Sequence, residues 1–234
     1  MKAEGLELSL VAAARELRTP LVLMRQLAME LEQAPDAARA REIARRMRLT
    51  SERSLRLADN LVKLSQLEGA MFELEPVQVN GLIGDVIDEL SPLSRALKQT
   101  FSVRVGRRSI VAVGHRELLR SLLLGLVDNA LQHHTREQHV DVAARISRGE
   151  TVIAVRDYGP IMDLIEYRRL AFSLGKRALP ISSRPLSSSL GLAIAGRFAA
   201  AMNGRLSVSR HHSGGVTVRA HLPISAQLSL LESS

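Results

Sequence analysis

Few residue types in this chain can carry chemistry, and they are unevenly placed. The chain has no cysteine, which excludes disulfides, thiolate catalysis and cysteine-ligated zinc. All seven histidines lie beyond residue 114. The adjacent pairs His133-His134 and His211-His212 do not predict a metal site, because neighbouring side chains point to different faces of a helix or a strand.

Near the N-terminus, a carboxylate and a hydroxyl stand three residues apart. Glu16 and Thr19 share one face of a helix at this spacing. They form either a functional polar pair or only the start of a kink, since Thr19 precedes Pro20. Arg15 comes directly before them, and its guanidinium is always protonated and a poor nucleophile.

A second set of residues combines polar side chains with glycines that suit phosphate binding. Asn129 lies in an apolar stretch that predicts a helix. Asp157 and Gly159 follow a predicted strand, and Gly191 lies at the start of a further predicted helix. Glycine lets a backbone approach a phosphate closely and adopt positive φ. Residues 173–189 are rich in Ser, Pro, Lys and Arg, which predicts a mobile loop.

Two amphipathic helices must position the N-terminal residues. Between them, Pro35 cannot continue a helix and Asp36 can cap the next one. A lone hairpin would leave half of each apolar stripe facing water, so residues 1–69 predict a dimerisation domain in which two hairpins form a homodimeric four-helix bundle. The apolar positions recur in steps of seven in the first helix, and in steps of four and three in the second: Leu10, Leu17, Met24 and Leu31, with Ala14, Leu21 and Ala28, then Ile43, Met47, Thr50, Ser54, Leu57, Leu61 and Leu64.

The rest of the chain, residues 70–234, predicts a second domain in which helices and strands alternate. The class is α+β, with a two-layer α/β sandwich and a mostly antiparallel sheet. Predicted strands cover residues 77–79, 101–105, 110–113, 140–147, 151–155, 205–210 and 215–222, and predicted helices cover 80–97, 117–133 and 190–202.

Five short motifs, in this order, resemble those of a bacterial sensor histidine kinase transmitter. Residues 15–21 resemble its phosphoacceptor box, with Arg15 in place of the histidine. The resemblance implies a phosphoacceptor hairpin followed by an ATP-binding domain of the GHKL type, with a response regulator receiver domain or a partner kinase as protein partner. The Asn box, the two Gly boxes and the final Gly-Thr element correspond to residues 122–133, 157–160, 190–194 and 214–217.

By this resemblance, four residues are implied to bind Mg-ATP. Asn129 takes the place of a ligand to Mg²⁺, and Asp157 that of the carboxylate that accepts a hydrogen bond from the adenine amino group. Gly159 and Gly191 belong to the two Gly boxes. Gly125 replaces the first asparagine of the Asn box, which predicts that ordinary Mg-ATP turnover is lost and leaves residual nucleotide binding open. Further departures are Gln132 for a lysine, and Ser187 and Ser189 for leading glycines. The second glycine of the first Gly box is missing from the run Gly159-Pro160-Ile161.

The sequence therefore predicts a degenerate histidine kinase that regulates a two-component phosphorelay through protein contacts, without histidine autophosphorylation. One alternative is a response-regulator phosphatase, because the resemblance implies that Glu16 and Thr19 position the water that hydrolyses an aspartyl-phosphate. Another alternative is an enzyme of the GHKL superfamily that retains ATP binding.

The charge balance favours an acidic protein partner over nucleic acid. The formal net charge is +8, and residues 151–234 hold ten basic and four acidic groups. Tryptophan is absent and the whole chain has only two Tyr and four Phe, which argues against the stacking platforms of nucleic-acid binders. The excess charge predicts a remnant of an anion site or a surface for an acidic protein. No apolar run is long enough to span a bilayer, and we expect a soluble, cytoplasmic protein.

Overall fold

A computed structural model describes residues 2–67, 72–106, 108–132, 139–174 and 189–224. The chain divides into two compact units, Met1–Gln66 and Leu67–Ser234. The first unit is a helical hairpin and the second combines helices with two sheets.

The hairpin consists of α1 (Lys2–Glu32) and α2 (Ala37–Gln66). Pro20 lies inside α1 without ending it. The predicted break is confirmed: α2 begins after Asp36, whose Oδ1 accepts the backbone N–H of Arg39 at 2.7 Å and so caps the helix.

The interior of the hairpin follows the predicted apolar stripes in part. Of the predicted stripe residues, Ile43 is almost completely buried and most of the others that are described are half-buried. Leu27, which the predicted stripe did not include, is also almost completely buried. Leu21, by contrast, is 58% exposed, and Leu55 is 62% exposed. One hairpin therefore leaves large apolar side chains in contact with water, as expected of two helices without further partners.

The second unit contains seven strands and four helices within its described residues. In chain order they are β1 (Glu75–Gln78), α3 (Val79–Ala96), β2 (Thr100–Val105), β3 (Val111–Gly114), α4 (Arg116–Leu131), β4 (His139–Ser147), β5 (Glu150–Arg156), α5 (Leu164–Ser173), α6 (Ser189–Ala201), β6 (Arg205–Arg210) and β7 (Val216–Pro223).

Five strands form the main sheet, in the order β2-β4-β5-β7-β6. The β2–β4 pair is parallel and the other three pairs are antiparallel, as predicted for a mostly antiparallel sheet. β4 and β5 are joined by a two-residue turn in which Arg148 and Gly149 both have positive φ, 54° and 73°. This turn matches the right-handed twist of the strands it connects. β1 and β3 form a separate antiparallel pair.

Helices α3, α4 and α6 supply the helical layer over the main sheet. Burial of their apolar side chains against alternate residues of the strands gives the second unit its core. The largest side chains that are nearly inaccessible in this unit are Phe198, Leu82, Ile83, Leu90, Leu119, Leu122, Leu123, Leu131, Ile153 and Met162.

Helix α5 is not predicted by the sequence patterns. It is short, and the carboxylate of Asp163 starts it by accepting the backbone N–H of Glu166 at 2.8 Å. The loop predicted over residues 173–189 falls mainly on residues 175–188, which lie outside the described residues.

Candidate functional site

The last two turns of α4 carry the remaining asparagine of the Asn box. Asn129 is half-buried, and its polar contacts lie within the protein. Gly125 lies one helical turn earlier, on the same face of α4. Because glycine has no side chain, this turn offers one amide where the family pattern has two.

Gln132, which stands where the family pattern has a lysine, is bound to its own helix. Its Nε2 donates to the carboxylate of Asp128 at 2.8 Å and to the backbone carbonyl of the same residue at 3.1 Å. The amide therefore contributes no positive charge, and its donor group is already occupied. His133, the next residue of the motif, lies outside the described residues.

Asp157 follows β5 and is buried. Its Oδ1 accepts the backbone N–H of Gly159 at 3.0 Å and that of Val216 at 3.3 Å. The carboxylate predicted to face adenine therefore also ties the loop after β5 to the start of β7. These hydrogen bonds are structural and do not require a ligand.

Two glycines just before β7 allow the backbone there to approach Asp157 closely. Gly214 and Gly215 have φ of 96° and 75°, which favours glycine. A Cβ atom at Gly215 would lie 2.0 Å from the backbone oxygen of Asp157. The last motif, residues 214–217, therefore shapes the loop around Asp157, while Thr217 forms a hydrogen bond with Nε2 of His211 at 2.7 Å.

The second Gly box lies at the start of α6. Gly191 is half-buried and has contacts within the protein. Ser189 is the first residue of the helix, so the serine here does not prevent helix formation. Ser187 lies outside the described residues.

The hairpin residues lie in sequence on α1. Thr19 is exposed, and Glu16 is half-buried with contacts within the protein. Their separation of three residues on a continuous helix places them on one face. Arg15 belongs to α1 by its backbone, and its side chain is outside the described part of the chain.

The residues described do not fit a Mg²⁺-bound nucleotide of the usual kind. Mg²⁺ demands several oxygen ligands in near-octahedral geometry. Of the two asparagine positions of the Asn box, only residue 129 supplies an amide oxygen, since Gly125 has no side chain, and the amide nitrogen of Gln132 is hydrogen-bonded to Asp128. No group of three His, Asp or Glu side chains suited to a metal ion occurs among the described residues. Asp157 retains the carboxylate that the resemblance assigns to adenine.

Sequence reasoning missed a polar cluster centred on Asp141 of β4. This carboxylate is buried, accepts the Tyr158 hydroxyl at 2.8 Å and pairs with Arg104. His139 Nε2 lies 3.3 Å from its other oxygen. Burial alone would raise the pKa of Asp141, but hydrogen bonds from Tyr158 and Ser102 and the nearby positive charges lower it overall. Strand alternation could have identified this cluster, because it places Asp141 on the face of β4 opposite Val140 and Val142.

Comparisons with known proteins agree with this geometry. Residues 114–226 match the family of histidine kinase-, DNA gyrase B- and HSP90-like ATPases. Sensor protein CutS of Streptomyces coelicolor is 28% identical over 214 residues, which cover 91% of this chain and 51% of CutS. Sensor protein SphS of Synechococcus elongatus is 32% identical over 226 residues, which cover 90% of this chain and 53% of SphS. The family match, the sensor-protein relatives and the solved structures together support a histidine kinase transmitter module.

The fold of the transmitter also agrees with solved structures. Histidine kinase ThkA, in its complex with response regulator protein TrrA, has a TM-score of 0.62 to this chain at 15% identity, covering 92% of this chain and 60% of that one. The chain spans about half the length of the curated relatives it matches. No helix among the described residues is sufficiently long and apolar to cross a membrane.

Proposed function

We propose that this transmitter module regulates a two-component phosphorelay through protein contacts, without autophosphorylation on histidine. The observation that carries the proposal is Arg15 at the position of the phosphoacceptor. A guanidinium is protonated at all physiological pH values and cannot accept a phosphoryl group as the imidazole of histidine does. Gly125 at the position of a metal ligand supports the same proposal, because the nucleotide site and the phosphoacceptor position have both changed.

The hairpin offers surfaces for protein partners. Leu21, Met29, Leu55 and Val62 are more than half exposed. ThkA, which shares the fold, has been solved with a response regulator. We propose that residues 1–69 form a homodimeric four-helix bundle, that residues 70–234 form the degenerate ATP-binding domain, and that a response regulator receiver domain or a partner kinase binds the bundle.

Arg15 itself suits an acidic partner. It places a permanent positive charge where a kinase would carry the phosphoryl group, and the family's receiver domains present an acidic pocket to that group. Pull-down of candidate receiver domains with wild type, Arg15→Ala and Arg15→Lys tests this step. We expect weaker capture by Arg15→Ala and partial rescue by Arg15→Lys. Equal capture by all three proteins would show that Arg15 does not contribute to binding of the receiver domain.

Incubation with γ-labelled ATP tests the main proposal. Wild type should acquire no acid-labile label, alone or with a competent histidine kinase present to phosphorylate it in trans. In the same assay, wild type added to a competent kinase and its receiver should change the level of receiver phosphorylation. Stable labelling of this chain on a histidine would overturn the proposal.

A second candidate function is a response-regulator phosphatase. The observation that favours it is the exposed Thr19 one turn from Glu16 on α1. Hydrolysis of an aspartyl-phosphate by a positioned water needs no phosphoacceptor histidine, so Arg15 does not exclude it. The decay of a phosphorylated receiver should be faster with wild type than with Thr19→Ala, and Arg18→Ala, an exposed neighbour on another face, should behave as wild type. Equal decay with wild type and Thr19→Ala would exclude this activity.

A residual nucleotide-binding enzyme of the GHKL superfamily is the third candidate, and Asp157 is the feature that supports it. A bound nucleotide must stabilise the native state, so the midpoint of thermal unfolding should rise with ATP or ADP if a site remains. We expect any such rise to be the same with and without Mg²⁺, because the metal side of the site is eroded. No rise at millimolar nucleotide would remove this candidate.

A further inference from the structure

The main sheet has a second face, opposite the helical layer. Buried residues such as Val142, Ile153 and Ala220 point toward the helices. Because successive side chains of a strand point to opposite sides, their neighbours point away from those helices. Many of these neighbours are polar and exposed or half-buried, and they include arginines from all five strands: Arg104, Arg145, Arg156, Arg219 and Arg205. We call this side of the sheet the open face.

Strand register aligns part of the open face into a transverse row. Arg145 of β4 pairs with Val152 of β5, Val152 pairs with His221 of β7, and His221 pairs with Arg205 of β6. Neighbouring strands lie about 4.8 Å apart, so the row spans roughly 14 Å. An arginine therefore stands at each end, with a small apolar residue and a histidine between them.

The adjacent row continues this arrangement. Ala143, Ala154 and Arg219 stand next to one another across β4, β5 and β7. Together with Val152, the two alanines give the open face a floor of small apolar side chains. Longer arginine side chains rise beside this floor, so the surface is a shallow trough with basic edges.

A groove of about 350 Å³ occupies the end of the trough nearest the β4–β5 turn. With four arginines and one glutamate in its lining, it carries a net charge of +3 when its histidine is neutral. Arg148 lines the groove from the two-residue turn between β4 and β5, where its backbone has a positive φ. The complete lining is Arg145, Ser147, Arg148, Glu150, Val152, Arg205, Arg219 and His221.

One side of the groove is held in place by hydrogen bonds. Glu150 binds the Arg205 guanidinium through both oxygens, and His221 Nδ1 lies 3.2 Å from the same carboxylate. His221 Nε2 in turn lies 2.8 Å from the hydroxyl of Ser207. The hydrogen bond and charge of Arg205 lower the pKa of Glu150, so this carboxylate stays ionised. The single acidic group of the groove is therefore committed to Arg205.

The other side of the groove has uncompensated charge. The guanidinium groups of Arg145 and Arg148 have no ion-pair or hydrogen-bond partner among the described residues. Arg219 donates to the hydroxyl of Ser209 at 2.7 Å, a neutral partner. These three arginines can each present a planar fork of N–H donors to a carboxylate.

We propose that this groove binds an acidic segment of a partner polypeptide. Carboxylates of the segment pair with Arg145, Arg148 and Arg219, and its small residues lie beside the groove on the half-buried alanines of the trough, Ala143 and Ala154. A polypeptide is favoured because carboxylate pairs and a small apolar floor occur side by side. No Phe, Tyr or Trp lines the groove, so bases have no ring to stack on. The proposal is independent of the hairpin and of the regulatory function proposed above.

Fluorescence anisotropy with a labelled ten-residue peptide of alternating Glu and Ala tests this site on the full chain. Wild type should bind the peptide with an affinity that falls as salt is raised. The double variant Arg145→Glu/Arg148→Glu should bind at least about tenfold more weakly, and Arg145→Ala/Arg148→Ala should be intermediate. The matched control Arg95→Glu/Lys98→Glu makes the same change of charge at the end of α3 and should stay within about twofold of wild type.

Three results would overturn the proposal. The first is equal peptide binding by wild type and Arg145→Glu/Arg148→Glu, with both proteins folded by circular dichroism. The second is an equal loss in the α3 control, which would indicate a general effect of net charge. The third is tighter binding of duplex DNA or of phosphatidylserine vesicles than of the peptide, with the same dependence on Arg145 and Arg148, which would assign the groove to another class of partner.

Discussion

The side-chain amide of Gln132 donates a 2.8 Å hydrogen bond to the carboxylate of Asp128, one turn earlier on α4. The position of Gln132 is one where the family pattern has a lysine that approaches the phosphates. Gln132 therefore carries no positive charge, and its donor is hydrogen-bonded to its own helix. We predict that this change and Gly125 together weaken the binding of a metal-bound triphosphate near Asn129.

Restoring two of these residues should restore part of the nucleotide site. A Cβ atom at Gly125 would meet no atom within 4 Å outside its own helix turn, so asparagine fits there. Glycine is the poorer helix former by a few tenths of a kcal/mol, so Gly125→Asn should unfold at the same or a slightly higher urea concentration. Gly125→Asn/Gln132→Lys should bind a fluorescent ATP analogue more tightly with Mg²⁺ than without it.

Gly84→Asn is the matched control for that experiment. Gly84 also lies inside a helix, α3, and a Cβ atom there would likewise meet nothing within 4 Å. It should change stability as Gly125→Asn does and leave nucleotide binding unchanged. If Gly125→Asn/Gln132→Lys bound nucleotide no better than Gly84→Asn, loss of the Asn box would not be what weakens the site.

Gly215→Ala should destabilise the second unit strongly. The added Cβ would lie 2.0 Å from the backbone oxygen of Asp157, and φ at this residue is 75°. Gly149→Ala separates the cost of the positive φ from the cost of the steric clash, because Gly149 has a similar φ of 73° with open space around it. We expect Gly149→Ala to cost about 1 kcal/mol in free energy of unfolding and Gly215→Ala about 3 kcal/mol or more, measured by urea denaturation. Similar costs for both would show that the loop moves aside without penalty.

The elements that sequence patterns predicted best are those with long apolar stretches that become buried. α4 is buried along most of its length, and β4, β5 and β7 each contain three consecutive buried residues, so this helix and these strands were found close to their real ends. α5 was missed because it lacks such a pattern. Of its apolar residues, Leu164, Ile165 and Phe172 are exposed and Leu170 alone is buried.

The sequence predicted which residues belong to the candidate site. It did not predict the contacts between them, because these depend on how distant parts of the chain pair in the fold. Asp157 and Gly159 were identified from their motif, but the hydrogen bond from Val216 to Asp157 joins residues 59 positions apart. Its geometry follows from the pairing of β5 with β7, which no local pattern specifies. The trough of the open face was missed for the same reason, because Arg145 and Arg205 become aligned only across four paired strands.

Leu55→Arg should convert the predicted homodimer into a monomer. Leu55 and Val62 lie seven residues apart on α2, hence on one face, and both are more than half exposed in a single hairpin. Burial of that face against a second hairpin would not tolerate an unpaired charge. Sedimentation equilibrium should give the dimer mass for wild type and for the control Ala38→Arg, at an exposed residue on a different face of α2, and the monomer mass for Leu55→Arg. A wild-type monomer at micromolar concentration would contradict the four-helix bundle.

Asp141→Asn should remove part of the pH dependence of folding. The folded-state pKa of Asp141 is lowered from a model-peptide value of 3.8, against the effect of burial, because Tyr158, Ser102, Arg104 and His139 favour the carboxylate. A lowered pKa means that the ionised group stabilises the native state above pH 3.8 and that this contribution is lost as the pH falls through the folded-state pKa. Wild type should therefore lose more stability than Asp141→Asn between pH 5 and pH 2, measured by the midpoint of urea unfolding.

Tyr158→Phe tests how much the Tyr158 hydroxyl contributes to lowering the pKa of Asp141. It removes the hydroxyl that donates to Asp141 at 2.8 Å while keeping the ring that lies 4.3 Å from the Arg156 guanidinium. The pKa of Asp141 should rise toward its ordinary value, so the stability lost on acidification should be smaller than in wild type, and the loss should be complete at a higher pH. At neutral pH, Tyr158→Phe should cost about 1 kcal/mol and Asp141→Asn about 2 kcal/mol or more, since the latter leaves Arg104 without its charge partner. An unchanged pH profile for both variants would mean that other carboxylates govern acid unfolding.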